Sequence, residues 1–306
     1  MRCTETHAWP GSGAVLWMAL GGLALGAAAG AAEAACPTGR AALQAMLASE
    51  YAFAEKAQAS VSGAFLAFLA DDSLVLNPAP QPGRAVYQAA KNSADRLEWF
   101  PSIGDISSSA DLGFTSGPWV YTAAPGGKQY HGHFLTVWRR GAECRWRVEF
   151  DGGTSHAAPS SVERKLRPAE APFTAADSPS PTALSHDAAG QALSDFESTV
   201  QRDGFASALR AYGRRADFRF YTDGQTPIDG VTAASSYFNA HAIAGAWKEA
   251  ARGRSADSTL VYSVGELTDS SDQSTHAYAQ IWQYDPKATN WGLRVLLVNP
   301  LPRTHQ

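Results

Sequence analysis

Glu50 falls between Met46 and Ala54 on the apolar stripe of a helical segment. A carboxylate facing an apolar pocket is pushed towards its neutral form by loss of water, and a carboxyl tuned that way can serve as a general acid or base. His131 and His133 stand two apart in HGHFLTVW, on one face of a strand. With Glu149 or Asp151 from the strand that follows, they have the residue types of an acid–base pair or a metal site, if the hairpin register brings them together. Glu50 and His133 are therefore the catalytic candidates, and no metal set is assigned. Each has a structural alternative: Glu50 at a helix rim or paired with Arg84, and His133 hydrogen-bonded within its sheet. Tyr51, Trp99, Phe114, Trp119 and Trp138 supply surface for a ligand pocket, although aromatics also fill cores and interfaces. Arg147, with Arg145, offers a grip for an anionic group, or a charged strand edge that discourages aggregation. The Ser155-His156 pair lacks a placed acid, and no Gly-x-Ser-x-Gly elbow is present. No Gly-x-x-x-x-Gly-Lys, Gly-x-Gly-x-x-Gly or Cys-x-x-Cys occurs, so no cofactor is expected.

The elements that must position these residues come in two similar series. Helical spacing covers 41–59, 61–69 and 84–98, with a short strand at 74–76 between the second and third helices. Strands are expected at 102–109, 114–121, 131–139 and 145–150. A stretch rich in Pro, Ala and Ser, 158–186, has no apolar period and reads as a linker. Helices at 187–201, 205–212 and 231–241 follow, with a strand at 217–221 before the third. Further strands are expected at 258–267, 276–284 and 291–298. Each series ends in an apolar run closing on a Trp (Trp138, Trp282), a turn, and a second run opening on a Trp (Trp146, Trp291). This repetition predicts a duplicated domain. Helices first and an antiparallel sheet afterwards is an α+β pattern. In the strand to Trp138, Phe134, Thr136 and Trp138 share one face, and His133, Leu135 and Val137 the other. Apolar groups on both faces predict that both are covered, one by helices and one by the other repeat.

The segments ADLGFTSGPWVY (110–121), YHGHFLTVWRR (130–140) and CRWRVEFDGGTSHAAP (144–159) resemble the NTF2-like superfamily, within it the SnoaL-like and DUF4440 group of bacterial proteins. FLADDSLVLNP (68–78) and Gly83-Arg84 resemble that group too. The resemblance spans 41–157 and is weaker over 187–300, where Asp257-Ser258-Thr259 replaces Asp-Leu-Gly and no Gly-His pair precedes the strand to Trp282. It implies two cones, each of helices wrapped by a curved, mainly antiparallel sheet around a pocket, joined through their outer faces as an intramolecular pseudo-dimer. It does not imply one activity, because this fold carries isomerases, dehydratases, cyclases, binders and assembly modules.

The chain has 306 residues, enough for two ordinary domains, and a formal net charge of −4. That balance, without a basic stripe, speaks against a nucleic-acid partner. Residues 1–34, with an uncharged apolar run and Ala32-Glu33-Ala34, read as a secretory signal peptide, so that the mature chain would be periplasmic or secreted and not a membrane protein. Cys36 and Cys144 would then meet oxidising conditions, and sequence leaves open whether they pair. The function expected is binding of a small apolar or amphipathic molecule in the first domain. The alternative is a cofactor-independent isomerase, hydratase or lyase using a pocket carboxylate or His. An assembly module with a protein partner is a third reading.

Overall fold

The computed structural model describes residues 35–90, 94–123, 126–161, 184, 188–214 and 217–302. The expected signal peptide and most of the expected linker lie outside the described residues. Three helices open the first half: α1 (Gly39–Ala57), α2 (Val61–Phe68) and α3 (Gly83–Ala89). Strands β1 (Leu69–Leu76) and β2 (Pro80–Pro82) separate α2 from α3. Next come β3 (Arg96–Trp99), β4 (Ile103–Ile106), β5 (Leu112–Thr122), β6 (Gln129–Arg140) and β7 (Trp146–His156). The third helix is shorter than its apolar spacing implied. Ala90 turns to extended backbone, and Arg96–Trp99 instead pairs with β5, setting Trp99 opposite Trp119.

The second half repeats the order: α4 (Ala188–Asp203), α5 (Phe205–Tyr212), β8 (Arg219–Tyr221), β9 (Ile228–Asp229) and α6 (Val231–Ala240). Four long strands close it: β10 (Gly245–Arg254), β11 (Leu260–Asp269), β12 (Thr275–Asp285) and β13 (Asn290–Pro300). Strand β10 was not expected from sequence. It is an edge strand, mostly exposed and rich in charge, so it lacks the apolar alternation that marks a strand. The first sheet runs β2-β1-β7-β6-β5-β3 with β4 beside β5, and the second runs β10-β11-β12-β13-β8-β9. In each, one parallel pair (β1 with β7, β8 with β13) interrupts an antiparallel order.

Each sheet packs its helices on one face, and the other faces meet. Buried Met46, Phe53, Phe65, Trp138, Trp146 and Val148 form the first interior. A second interior gathers Leu193, Phe196, Phe205, Phe238, Trp282 and Leu296. A third cluster joins Leu112, Phe114, Leu135, Val137 and Phe150 of the first sheet to Tyr262, Val264, Ile281, Val295 and Leu297 of the second. The architecture is thus α+β, two cones joined wall to wall as a pseudo-dimer. The joint is reciprocal: Ser108 N–H donates to Thr259 Oγ1 at 2.9 Å, and Ala256 N–H donates to Asp111 Oδ2 at 2.9 Å. Ser108 and Ala256, and Asp111 and Thr259, hold equivalent places before their strands, so one contact is made twice, the mark of a two-fold relation.

The disulfide between Cys36 and Cys144, with Cα atoms 5.3 Å apart, ties the start of α1 to the β6–β7 turn. Among the described residues, no helix is long and apolar enough to cross a membrane.

Candidate functional site

A cavity of about 560 Å³ opens inside the first cone. Helix α1 supplies Phe53, which stands edge-on to Phe65 of α2 and to Trp99 of β3, each with ring centroids 4.8 Å away. Phe65 stacks on Tyr87 of α3 at 3.9 Å. These four rings, with Trp119, Tyr121 and Phe134 of the sheet, make the apolar wall. Trp119 lies across Gly132, where a Cβ would come within 2.3 Å of its Cζ2 and 1.9 Å of the Thr154 carbonyl oxygen. The Gly-His pair of the sequence is therefore a place for a Trp ring.

Glu50 is fully buried and is not among the residues lining the cavity. Both its oxygens are engaged. Trp99 Nε1–H donates to Oε1 at 2.6 Å, while Thr115 Oγ1–H at 2.5 Å and Trp138 Nε1–H at 2.9 Å donate to Oε2. Burial pushes its carboxyl up, and the bonds from Thr115, Trp99 and Trp138 pull it back. Its geometry fixes two indoles. Arg84 is engaged elsewhere, donating to the carbonyls of Leu66 and Leu69 and pairing with Asp71.

The carboxylate that does reach the cavity is Asp151 of β7. Thr136 Oγ1–H donates to its Oδ2 at 2.7 Å. Burial pushes Asp151 up to about 7, against the pull of the Thr136 bond and with the charge of Glu50 adding to the rise. Such a carboxyl is divided between acid and base near neutrality. Its role was hidden by a β-bulge. Trp138 pairs with Val148 and Val137 with Phe150, leaving Glu149 unpaired. Trp146 and Val148 point into the cone, and plain alternation would turn Asp151 outwards. The extra residue reverses the phase, so Phe150 faces the second cone and Asp151 the cavity. Nothing in the regular alternation of Trp-Arg-Val-Glu-Phe-Asp marks the bulge.

The other candidates are dispersed. Trp99 and Trp119 line the cavity, and Trp138 lies behind it, holding Glu50. Tyr51 is 42% exposed, against Phe100. Phe114 is on the opposite face of the sheet, under the Arg294 guanidinium. Arg147 donates to the Ala67 carbonyl, and exposed Arg145 pairs with Glu143. His133 also faces the second cone. Its Nδ1 is 2.9 Å from His156 Nε2, and its ring is 6.0 Å from that of Tyr221. Burial, then the charges of His156 and Arg219, lower it to about 3 against the pull of Asp229. His156 ends β7. Glu149 is taken by Arg139 at 2.6 Å, so neither carboxylate joins the His pair. Among the described residues, no group of three metal-binding side chains occurs.

The second cone keeps the rings and loses the acids. Phe196 meets Trp282 edge-on at 5.4 Å, as Phe53 meets Trp138 at 6.1 Å, and Phe205 stacks on Phe238 at 4.3 Å, as Phe65 does on Tyr87. Counting from these pairs and from the ladders, Leu193 stands for Glu50, Leu296 for Asp151 and Leu267 for Trp119; all three are fully buried. Opposite Leu267 is His276, where Trp119 has Gly132. Trp247, equivalent to Trp99, has an indole N–H with no hydrogen-bond partner, as expected when its carboxylate acceptor becomes a leucine. Three residues of this cone, Asp223, Asn299 and Pro300, reach the rim of the first cavity. Asp223 Oδ1 accepts from Ser155 N–H at 2.7 Å and from Ser155 Oγ–H at 3.2 Å, and Asn299 Nδ2–H donates to the Gly153 carbonyl at 2.8 Å.

No family model and no curated protein matches the chain. Among solved structures, it is similar to an NTF2-like protein from Shewanella oneidensis at 13% identity, over 37% of this chain and 97% of that one, with a TM-score of 0.31. A ketosteroid isomerase-like protein from Erwinia carotovora atroseptica is similar at 18% identity, over 38% of this chain and 97% of that one, with a TM-score of 0.31. An NTF2-like superfamily protein from Salmonella enterica serovar Typhimurium is similar at 12% identity, over 40% of this chain and 95% of that one, with a TM-score of 0.33.

Proposed function

We propose that the first cone binds a small, mainly apolar molecule carrying one polar group, and that the second cone is a diverged copy acting as its support. The observation that carries this reading is the aromatic cavity of about 560 Å³ with the carboxyl of Asp151 on its wall and that of Asp223 at its rim. Apolar walls with a few convergent polar groups are what small ligands occupy. The copy's Leu193, Leu267 and Leu296 are buried in the corresponding interior, and the cavity left at its mouth is smaller, about 350 Å³, with Leu296 in the place of Asp151. We place the chain in the NTF2-like superfamily and its SnoaL-like group, with a cleaved leader over 1–34. The Cys36–Cys144 bond supports export, because such bonds persist in oxidising compartments. Native mass spectrometry of the full chain, after exposure to a small-molecule extract of its source cells, tests the binding reading. A bound mass present in the natural chain and lost in Asp151→Leu is expected. A chain that emerges unloaded overturns it.

The titration of Asp151 near neutrality favours a second reading, proton transfer on the bound molecule as in an isomerase or lyase. In deuterated water the captured molecule would then gain mass in the natural chain and not in Asp151→Asn. No mass gain in either removes the catalytic reading and leaves binding intact.

A further inference from the structure

The charged groups on the cavity wall are of one sign. Asp151 stands within it and Asp223 at its rim, and the neutral groups are Asn77, Thr154, Ser155 and Asn299. Among the described residues, no Lys, Arg or His lines it. The remaining surface offers π-faces, which carry negative potential. Tyr121 adds to the same sign, since its hydroxyl donates to Asp95 Oδ2 at 2.6 Å. An anionic ligand would meet two carboxylates and no counter-charge. A neutral ligand would leave Asp151 a poorly solvated charge with the Thr136 hydroxyl but no counter-charge whenever it ionised. A positive group satisfies both the carboxylates and the rings, because ammonium groups bind aromatic faces most strongly where water is excluded.

We propose that the occupant of this cavity is an organic amine, an apolar or aromatic body whose ammonium group sits against Asp151. This rests on the first cone being a ligand-binding unit, and adds the charge of the ligand. Asp223, held in place by Ser155, contributes a second negative charge at the entrance, so the second cone takes part in selection. Binding is coupled to protons. Asp151 is pushed up to about 7 by burial, and the groups facing it are Thr136 of β6, Glu50 of α1 and Tyr87 of α3, none of them cationic. An ammonium group draws Asp151 into its ionised form, so amine affinity rises as pH increases through about 7.

Three probes of like shape separate the outcomes by calorimetry on the full chain: 3-phenylpropylamine, 3-phenylpropanol and 3-phenylpropionate. The amine is expected to bind about tenfold or more tighter than the alcohol at slightly alkaline pH, with the propionate weakest. Asp151→Asn should erase the preference for the amine and keep alcohol binding, and Asp223→Asn should reduce that preference in part. An alcohol bound as tightly as the amine, or a bound propionate, overturns the amine assignment while the cavity remains a ligand site. If none of the three binds, and the neutral dye Nile red does not bind either, the binding reading itself falls.

Discussion

At the scale of single residues, the buried Glu50 and the half-buried Asp151 have opposite assignments. Glu50 receives three hydrogen bonds, two of them from the indoles of Trp99 and Trp138. An amide in its place can accept at one end only, and its NH₂ would face a donor. Glu50→Gln should therefore lower stability by about 1–3 kcal/mol in urea unfolding, the cost of leaving a buried polar group unsatisfied. Asp151 behaves differently. The folded chain holds its proton up to about 7, whereas the unfolded chain releases it near the ordinary Asp value of 3.8. Across that window the unfolded state binds fewer protons, so stability falls as pH rises. Asp151→Asn removes this loss. Its melting temperature should exceed that of the natural chain increasingly from pH 4 to pH 8, and a constant difference would show that Asp151 is not held neutral. Glu50 could be placed on the inner face from helical spacing alone. Asp151 could not, because the inserted Glu149 reverses the strand's alternation.

At the scale of elements, the sheet of the first cone makes room for one ring. Trp119 on β5 and Gly132 on β6 are direct partners, and in the second cone Leu267 and His276 replace both together. Gly132→Ala should cost about 1–3 kcal/mol, the usual range for overpacking, because its Cβ meets Trp119 and a backbone carbonyl. Adding Trp119→Leu should recover part of that loss, a non-additivity that a double-mutant cycle reads directly. The periodicity of α1, α2 and β5 to β7 was legible because each buries an apolar stripe. Strands β3 and β10 were not. They lie at the sheet edges, where pairing is made by backbone and needs little from the side chains.

At the scale of the molecule, the two cones share one buried ion network. Arg294 Nη1 of the second cone lies 2.7 Å from Asp217 Oδ2 and 3.3 Å from Asp105 Oδ2 of the first cone. Gln283 Nε2–H also donates to Asp105 Oδ2, at 3.0 Å. Arg294→Ala takes the paired cation from Asp105, while Asp217 keeps Arg214 Nε at 3.3 Å, and should destabilise the chain by about 3–5 kcal/mol. Asp105→Ala should cost less, since Arg294 keeps Asp217. The joint substitution should cost less than the two losses added, as measured by denaturant unfolding. Because the joint is apolar around this network, both cones should unfold in one transition.

Residue order alone determined the order of the helices and of most strands, the two-fold recurrence of the Trp hairpins and the need to cover both faces of the first sheet. These follow from side-chain period, which is local. Tertiary structure decided which carboxylate meets the cavity, which histidines turn away from it, and that Cys36 reaches Cys144. Those outcomes depend on a one-residue slip between strands and on the packing of distant segments, neither of which leaves a mark in the spacing of residues along the chain.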